Sequence, residues 1–321
     1  MNLILDLDTG IDDALAISYA ASQSDANLLG ITTAFGNVRV ETATRNSLAM
    51  LELLGLTDVP VAQGADRPWG AEEKYVPSET LLQVHGRNGI GEVVLPEPQR
   101  MPETTNAVDF LISKAREYGK DLTLVTTGPM TNLADAFKKD PEAISSIGKI
   151  VSMAGALTVP GNVTRYAEAN IVNDAAAAKY VFESGFDITV VGLDVTLRTL
   201  LSGNDINAWK QPNSAIGNAL AQMSDYYYAN ETDPDGNSVG GALHDPLAVD
   251  IALHPETITY QVPMNLTVEV GCESNGRTIG DLNRLTDETT TAIVCTNVEA
   301  AGFSRRFAAA ILGLANRDQA Q

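Results

Sequence analysis

The stretch that decides the fold is Asn2-Leu3-Ile4-Leu5-Asp6-Leu7-Asp8-Thr9-Gly10-Ile11-Asp12-Asp13-Ala14-Leu15-Ala16. Its apolar part, Leu3 to Leu7, predicts a β-strand, and the helical spacing of apolar residues that follows predicts a helix over Asp12 to Ala21. Gly10 allows a tight turn between the two elements. A strand that runs directly into a helix is typical of α/β proteins.

The same alternation of strand and helix continues along the chain. The further strands that we predict are Leu28 to Ala34, Leu122 to Thr127, Ile150 to Met153, Ile188 to Leu193 and Ile293 to Val294. The further helices are Val40 to Leu54, Asn106 to Tyr118, Asp174 to Ser184, Ala215 to Ala229 and Val298 to Leu314. Alternation of this kind implies a mostly parallel central sheet flanked by helices, with ligands bound at the carboxyl ends of the strands. Because no repeat or linker-like segment interrupts residues 1–321, we expect a single domain.

The charge balance excludes whole classes of partner. The 41 acidic and 21 basic residues among 321 leave a formal net charge of −20. A surface this acidic repels nucleic acids and anionic lipid headgroups, so we expect neither as a partner. No apolar run approaches the roughly 18 residues that a membrane span needs, and we expect a cytoplasmic protein. Cys272 and Cys295 lack C-x-x-C spacing, and we expect both to be reduced core residues.

Four carboxylates crowd the strand-to-helix junction: Asp6, Asp8, Asp12 and Asp13. Asp6 and Asp8 share one face of the strand, while Asp12 and Asp13 open the helix near its positive end. Two charges 4 Å apart repel by roughly 4 kcal/mol at an effective dielectric of about 20, which exceeds the stabilisation of about 1 kcal/mol from a helix dipole. A cation would relieve this repulsion. Because the histidines and cysteines are distant in sequence, oxygen-only ligands favour Ca²⁺ or Mg²⁺ over zinc.

Two other interpretations of this segment stay open. A helix capped by acids that are otherwise solvated needs no metal. A strand that ends in Asp-x-Asp also resembles the start of haloacid-dehalogenase-type phosphatases, in which the first carboxylate, here Asp6, attacks phosphorus. In that family a threonine or valine usually stands where Gly10 stands here, and the paired acids come late in the chain, unlike Asp12 and Asp13. The phosphatase is therefore the minor alternative.

The motifs taken together resemble the inosine-uridine-preferring nucleoside hydrolase family. The first segment looks like the family's signature, and six further segments follow in the family's order. They are Thr32-Thr33-Ala34-Phe35-Gly36-Asn37-Val38, His85-Gly86-Arg87-Asn88-Gly89, Thr127-Gly128-Pro129-Met130-Thr131-Asn132, Asn162 to Asn170, Gly192-Leu193-Asp194-Val195-Thr196 and Leu243-His244-Asp245-Pro246. The resemblance spans at least residues 3 to 250.

The resemblance implies hydrolysis of the N-glycosidic bond of ribonucleosides through an oxocarbenium-like state, with inversion, in nucleoside salvage. It implies a Ca²⁺ that holds the attacking water and the ribose 2′- and 3′-hydroxyls, as expected for an oxygen-rich shell. By position, the metal ligands are Asp8, Asp13, Asp245 and the carbonyl oxygen of Thr127. Asp8 would also be the general base, and His244 is the candidate acid for the leaving base.

The substrate contacts also follow from the resemblance. Those assigned to substrate are Asp12 and Asn37 on the 2′-hydroxyl side, Asn170 on the 3′-hydroxyl, Asn162 and Glu168 on the 5′-hydroxyl, Met153 under the ribose, and His85. Asp6 would support the calcium shell without touching the metal. Taken alone, Asp245 before Pro246 is equally a helix N-cap, and His85 could be a surface residue.

The departures from the family pattern leave the base preference open. Ala169 replaces the usual phenylalanine near the sugar, and one of Tyr226-Tyr227-Tyr228 is a candidate to contact the base. We expect the stretches Gly64 to Leu82 and Asn230 to Gly241 to close over the nucleoside. The family's dimers and tetramers imply a homodimer or homotetramer. A non-catalytic calcium- or sugar-binding protein is the remaining alternative.

Overall fold

In the computed structural model, which describes residues 1–229 and 240–318, the strands lie where the sequence changes to β-branched and apolar runs. In chain order they are β1 (Asn2–Leu7), β2 (Asn27–Thr33), β3 (Val61–Gln63), β4 (Leu122–Thr126), β5 (Lys149–Ser152), β6 (Ile188–Val190), β7 (Leu200–Leu201), β8 (Gly241–Ala242), β9 (Ile258–Met264), β10 (Leu266–Val268), β11 (Thr278–Gly280) and β12 (Ala292–Val298). Eight of them form one sheet in the order β3-β2-β1-β4-β5-β6-β12-β9.

The helices connect these strands and cover the sheet. They are α1 (Ile11–Ser22), α2 (Val40–Leu53), α3 (Glu79–His85), α4 (Ala107–Tyr118), α5 (Thr131–Lys139), α6 (Pro141–Ser145), α7 (Ala169–Asn173), α8 (Ala175–Glu183), α9 (Leu193–Thr196), α10 (Gly203–Lys210), α11 (Ala215–Tyr227), α12 (His244–Leu253) and α13 (Ala300–Asp318). Short 3₁₀ turns occupy Gly119–Asp121, Pro255–Thr257 and Leu282–Arg284. No helix in the part of the chain that the structure describes is both long and apolar enough to cross a membrane.

The central strand β1 shows why the sheet is parallel. It pairs with β2 on one side and β4 on the other, both in parallel. Its side chains alternate between two apolar clusters, one on each face of the sheet: Leu3, Leu5 and Leu7 belong to the first, and Ile4 belongs to the second. A strand buried on both faces has no solvent side, so its sequence is continuously apolar up to Asp6.

The predicted α/β fold with a mostly parallel, helix-flanked sheet is confirmed. The alternation of elements did not predict the edge strand β9, which pairs antiparallel to β12, or the separate β10–β11 hairpin. β9 has an irregular burial pattern, with its middle exposed, so it lacks the signature of a buried strand. The prediction that both cysteines are core residues is wrong for Cys272, which is exposed, whereas Cys295 is buried.

Close packing of three helices depends on the absence of a side chain at Gly217 in α11. A Cβ atom there would lie 2.3 Å from the backbone oxygen of Trp209 at the end of α10 and 2.9 Å from the Cβ of Ala315 in α13. Gly313 in α13 is a matched case in open space, because no atom lies within 4 Å of the corresponding position.

We expect Gly217→Ala to lower the free energy of unfolding by about 1–3 kcal/mol, because the helices must separate. Gly313→Ala should leave it unchanged or raise it by up to about 1 kcal/mol, since alanine is the better helix former. Urea unfolding monitored by circular dichroism measures both. An unchanged midpoint for Gly217→Ala would contradict the packing described.

Candidate active site

A cavity of about 580 Å³ lies at the carboxyl-end edge of the sheet. Residues that follow β1, β2, β4 and β5 meet there with the first turns of α1 and α12. Of the residues singled out from the sequence, the cavity wall contains Asp12, Asn37, His85, Thr127, Met153, Asn162, Glu168, Asn170, His244 and Asp245. Asp6, Asp8 and Asp13 are buried behind this wall.

Asp8 and Asp13 share an amide donor. The backbone N–H of Asn37 donates to Asp8 Oδ2 at 2.8 Å, and its side-chain Nδ2 donates to Asp8 Oδ1 at 3.1 Å and Asp13 Oδ2 at 3.2 Å. The backbone approaches this closely because residue 36 is glycine, where a Cβ atom would lie 1.8 Å from Asp8 Oδ2. Burial, followed by the negative charge of Asp13, holds the pKa of Asp8 well above its usual range.

Three carboxylates from two helices converge beside this pair. Asp12 and Asp13 in the first turn of α1 and Asp245 in the first turn of α12 each offer an oxygen, and these oxygens lie within 4.8 Å of one another. We call these three residues the acidic cluster. Burial raises the pKa of Asp12 and of Asp13 to about 6, with Asp12 adding repulsion on Asp13. The pKa of Asp245 is raised further by burial and by the charges of Asp12 and Asp13.

The acidic cluster fits a cation with oxygen ligands. Asp12 Oδ1 and Asp245 Oδ2 are buried without any hydrogen-bond partner among residues 1–229 and 240–318. An unpaired buried carboxylate oxygen is costly, and several side by side are costlier still. The donor set consists of carboxylates, which suits a hard cation such as Ca²⁺ or Mg²⁺. The Thr127 hydroxyl donates to Asp13 Oδ1 at 2.7 Å and brings the Thr127 backbone to the same place.

Asp6 lies one layer below the acidic cluster. Its Oδ1 accepts hydrogen bonds from Thr32 Oγ1 at 2.6 Å and from Asn132 Nδ2 at 2.7 Å. Burial raises its pKa to about 6. Asn132 also donates to the Thr33 carbonyl and accepts from the Ala65 N–H, so this side chain ties β1, β2 and α5 together. The sequence identified Asn132 only as a helix start, because its partners are distant along the chain.

The opposite wall comes from the segment before and within α7. Asn170 Nδ2 donates to the carbonyls of Thr127 at 2.7 Å and Met153 at 2.9 Å, which leaves its amide oxygen as the acceptor for a ligand. Both oxygens of Glu168 accept backbone N–H groups, and this buried carboxylate caps α7. Asn162, although exposed, accepts from the Ala169 N–H at 3.0 Å. Asn162, Glu168 and Asn170 therefore stand on one braced segment.

Two histidines and a tyrosine form the remaining wall. His85 is 3% exposed, so the alternative of a surface residue is wrong. Its Nδ1 accepts the Ile11 N–H at 3.3 Å, which assigns the proton of the neutral ring to Nε2. The Tyr227 hydroxyl donates to Asp12 Oδ2 at 3.2 Å, and its ring contacts that of His85 with centroids 5.2 Å apart. His244 Nδ1 lies 2.8 Å from Thr196 Oγ1.

The protonation of the histidines differs from the expectation for His244. Burial lowers the pKa of both His85 and His244 to about 4, whereas the sequence suggested a near-neutral pKa for the candidate acid. The reason is that the fold encloses His244 among apolar and uncharged groups, which the chain alone does not reveal.

Sequence reasoning left the choice among the three tyrosines open. Tyr227 lines the cavity, whereas the Tyr228 hydroxyl donates to the Ala242 carbonyl at 3.0 Å and Tyr226 packs beside Gly91. Consecutive residues on a helix point in different directions, so only one of them could face the cavity.

Part of the predicted covering loops forms the mouth of the cavity. Within the stretch from Gly64 to Leu82, the wall residues are Tyr75, Val76, Ser78, Thr80 and Leu81, and Val84 follows in α3. No sequence signal identified these six individually. Val76 is 63% exposed and Val84 is 39% exposed, so apolar surface stands at the opening. Residues 230–239 of the second predicted loop lie outside the described residues, and Gly241 forms part of β8.

Comparison with known proteins follows the same geometry. The family model described as inosine-uridine preferring nucleoside hydrolase matches residues 3–305. A uridine nucleosidase 1 of Arabidopsis thaliana is 40% identical over 81% of this chain and 76% of its own length. A pyrimidine-specific ribonucleoside hydrolase of Shigella boydii is 36% identical over 94% of this chain and 95% of its own length.

Solved structures give the same result. A purine-preferring ribonucleoside hydrolase from Gardnerella vaginalis superposes with a TM-score of 0.94 and 45% identity, covering 99% of this chain and 100% of the other. Together with the match over residues 3–305, this places the cavity and its acidic floor in a known enzyme family. The chain belongs to the inosine-uridine-preferring nucleoside hydrolases, and it is an N-glycosyl hydrolase of ribonucleosides.

Proposed function

We propose that this hydrolase is calcium-dependent and that it releases ribose and free base from ribonucleosides for salvage in the cytoplasm. The observation that carries the proposal is the pair of buried, unpartnered oxygens of Asp12 and Asp245 at the floor of a cavity large enough for a nucleoside. We further propose that the chain acts as a homodimer or homotetramer, which light scattering distinguishes.

The carboxylates of Asp8, Asp13 and Asp245 and the carbonyl oxygen of Thr127 would hold the Ca²⁺. The convergence of Asp13 and Asp245 supports this set, and Asp8 adjoins it through Asn37. Bound there, the cation would polarise the attacking water and orient the sugar hydroxyls. Asp12, whose Oδ1 is unpaired, would accept from the 2′-hydroxyl, with Asn37 beside it.

Asp8 is the proposed general base. Its burial and its negatively charged neighbour raise its affinity for a proton, which suits a group that removes one from water. The two hydrogen bonds from Asn37 fix the direction of the carboxylate, so that the base needs no reorganisation during the reaction. Attack by water on the sugar face opposite the base would invert C1′.

The leaving base would receive its proton at the wall formed by the histidines and Tyr227. His244 is the proposed donor. A neutral imidazole with its proton on Nε2 can still donate to a departing base that gains negative charge, while Thr196 fixes the ring through Nδ1. We propose that Tyr227 is the tyrosine that contacts the base and that the Nε2–H of His85 donates a hydrogen bond to it.

The ribose would be recognised through each of its hydroxyls. Besides Asp12 and Asn37, Asn170 would bind the 3′-hydroxyl, Asn162 and Glu168 the 5′-hydroxyl, and Met153 would pack under the ring. A 2′-deoxyribonucleoside would leave buried polar groups unpaired and should be rejected. Relatives are named for uridine, pyrimidine or purine nucleosides, and Ala169 widens the wall where a phenylalanine is usual. We therefore propose no base preference.

The phosphatase alternative receives no support from the cavity. Asp6, the residue that would carry the phosphoryl group, is buried and does not line the cavity. Its Oδ1 is already engaged by Thr32 and Asn132. A phosphate ester would therefore have no path to the Asp6 carboxylate.

We expect Asp8→Asn to lower kcat/KM for ribose release by about 10²- to 10⁴-fold, because the amide cannot accept the water proton. Reducing-sugar release from uridine, cytidine, inosine and adenosine measures the effect and ranks the bases. Asp25→Asn, which removes an exposed carboxylate, is the charge-matched control and should be fully active. Wild-type rates in Asp8→Asn would rule out Asp8 as the base.

A calcium chelator should abolish ribose release, and added Ca²⁺ should restore it better than Mg²⁺, which prefers a smaller octahedral shell. Thermal unfolding gives a second readout, because a cation bound only by the folded state raises Tm. Asp245→Asn should lose most of that shift in Tm. Full activity in excess chelator, with no effect of Ca²⁺ on Tm, would overturn the proposed cofactor.

Closure of residues 75–84 over the nucleoside should slow hydrogen exchange of their amides. The inactive Asp8→Asn variant with excess uridine or inosine keeps the ligand intact during the measurement. The helix Ala107–Tyr118, which does not line the cavity, serves as the internal control. Unchanged protection of residues 75–84 in the saturated complex would mean that this segment does not close.

A further inference from the structure

A second buried carboxylate, Asp250 in α12, has no place in the reaction proposed above. Its side chain is fully enclosed and accepts three hydrogen bonds. The Tyr19 hydroxyl donates to Oδ1 at 2.6 Å, and Thr257 Oγ1 at 2.6 Å and Arg306 at 2.8 Å donate to Oδ2. We call these four residues the Asp250 network. None of them lines the cavity.

The Asp250 network joins the same two helices that carry the acidic cluster. Asp12 and Tyr19 lie seven residues apart on α1, and Asp245 and Asp250 lie five residues apart on α12. Seven residues of α-helix are about two turns, or about 10 Å. The bond from Tyr19 to Asp250 therefore fastens α1 to α12 within about two turns of the point where their carboxylates meet.

Apolar packing alone specifies the position of these helices poorly. Every residue from 11 to 20 on α1 and from 245 to 253 on α12 is buried, so neither helix has a polar face that defines its rotation. The hydrophobic effect is not directional, and small rotations or slides cost it little. A hydrogen bond to a carboxylate is directional and strong, so it selects one relative position.

The acidic cluster opposes this packing. Its three carboxylates come from both helices and crowd oxygens within 4.8 Å, so moving the first turns of α1 and α12 apart would relieve their repulsion. A cation requires the opposite, namely that the carboxylates stay close before it binds. Some other contact between α1 and α12 must therefore resist the separation.

We propose that the Asp250 network is a brace that holds α1 against α12, so that Asp12 and Asp13 keep the spacing from Asp245 that a bound divalent cation requires. Tyr19 and Asp250 are positioning residues, since they touch neither substrate nor cation. The proposal rests on the cation site proposed above. Burial and the charge of Asp250 raise the pKa of Tyr19, which keeps its hydroxyl protonated as the donor.

The test is titration of metal-free protein with Ca²⁺ alone, followed by calorimetry. Tyr19→Phe removes the hydroxyl but keeps the ring that packs on Phe303 and Phe307, with centroids 6.1 and 5.5 Å away. The matched control is Ser18→Ala on the same helix, which removes a buried hydroxyl that donates only to the Ala14 carbonyl of α1 itself.

We expect the Kd for Ca²⁺ to rise about tenfold in Tyr19→Phe, the equivalent of one lost hydrogen bond to a charged group. In Ser18→Ala it should stay within about twofold of wild type, although both variants unfold at somewhat lower temperature. Arg306→Gln changes a side chain that is 43% exposed, so folding is retained, and it should raise the Kd in the same direction by a smaller factor.

Three results would overturn the brace. The first is wild-type Ca²⁺ affinity in both Tyr19→Phe and Arg306→Gln while thermal unfolding shows them folded. The second is an equal loss of affinity in Ser18→Ala, which would assign the effect to general destabilisation. The third is a wild-type protein that binds no Ca²⁺, which would remove the cation site itself and is thereby distinguished from failure of the brace alone.

Discussion

Electrostatic repulsion among buried carboxylates is the constraint on which the site depends. Asp8, Asp12, Asp13 and Asp245 are all withdrawn from water, and burial raises the pKa of each. Holding them in one place costs free energy that folding must supply elsewhere. That expense is the reason to regard the group as functional, since a protein gains no stability from unpaired buried acids.

The parallel sheet brings these groups together. The carboxyl ends of β1, β2 and β4 lie side by side, so Asp8, Asn37 and Thr127 meet although they are separated by up to 119 residues along the chain. The first turns of α1 and α12 deliver the other carboxylates with their positive ends toward the cluster, which offsets part of the repulsion. Donors from Asn37, Gly10 and Thr127 offset a further part.

The rest of the cavity is built from polar groups that are themselves held in place. Asn170 uses its amide nitrogen on two backbone carbonyls, and Glu168 uses both oxygens on backbone N–H groups. Such groups lose little entropy when a sugar binds, because their rotamers are already restricted. The apolar mouth formed by Val76 and Val84 belongs to a segment with fewer such ties, which suits a part that moves.

The amino-acid sequence by itself determined the α/β class, the position of the acidic segment and the family, because each of these is written in local patterns and in motifs of fixed order. Ten of the predicted site residues line one cavity, from Asp12 to Asp245. Local patterns could not show that β9 closes the sheet, that Cys272 is exposed, or that His85 is buried against Ile11.

Only the tertiary structure decided which side chains act together. Tyr227 faces Asp12, Thr196 holds His244, and Tyr19 reaches Asp250 across 231 residues of chain. The pKa of His244 likewise depends on enclosure by distant segments. The physical reason is the same in each case: hydrogen bonds, burial and charge repulsion act over a few ångströms in space, and separation along the chain carries no information about those distances.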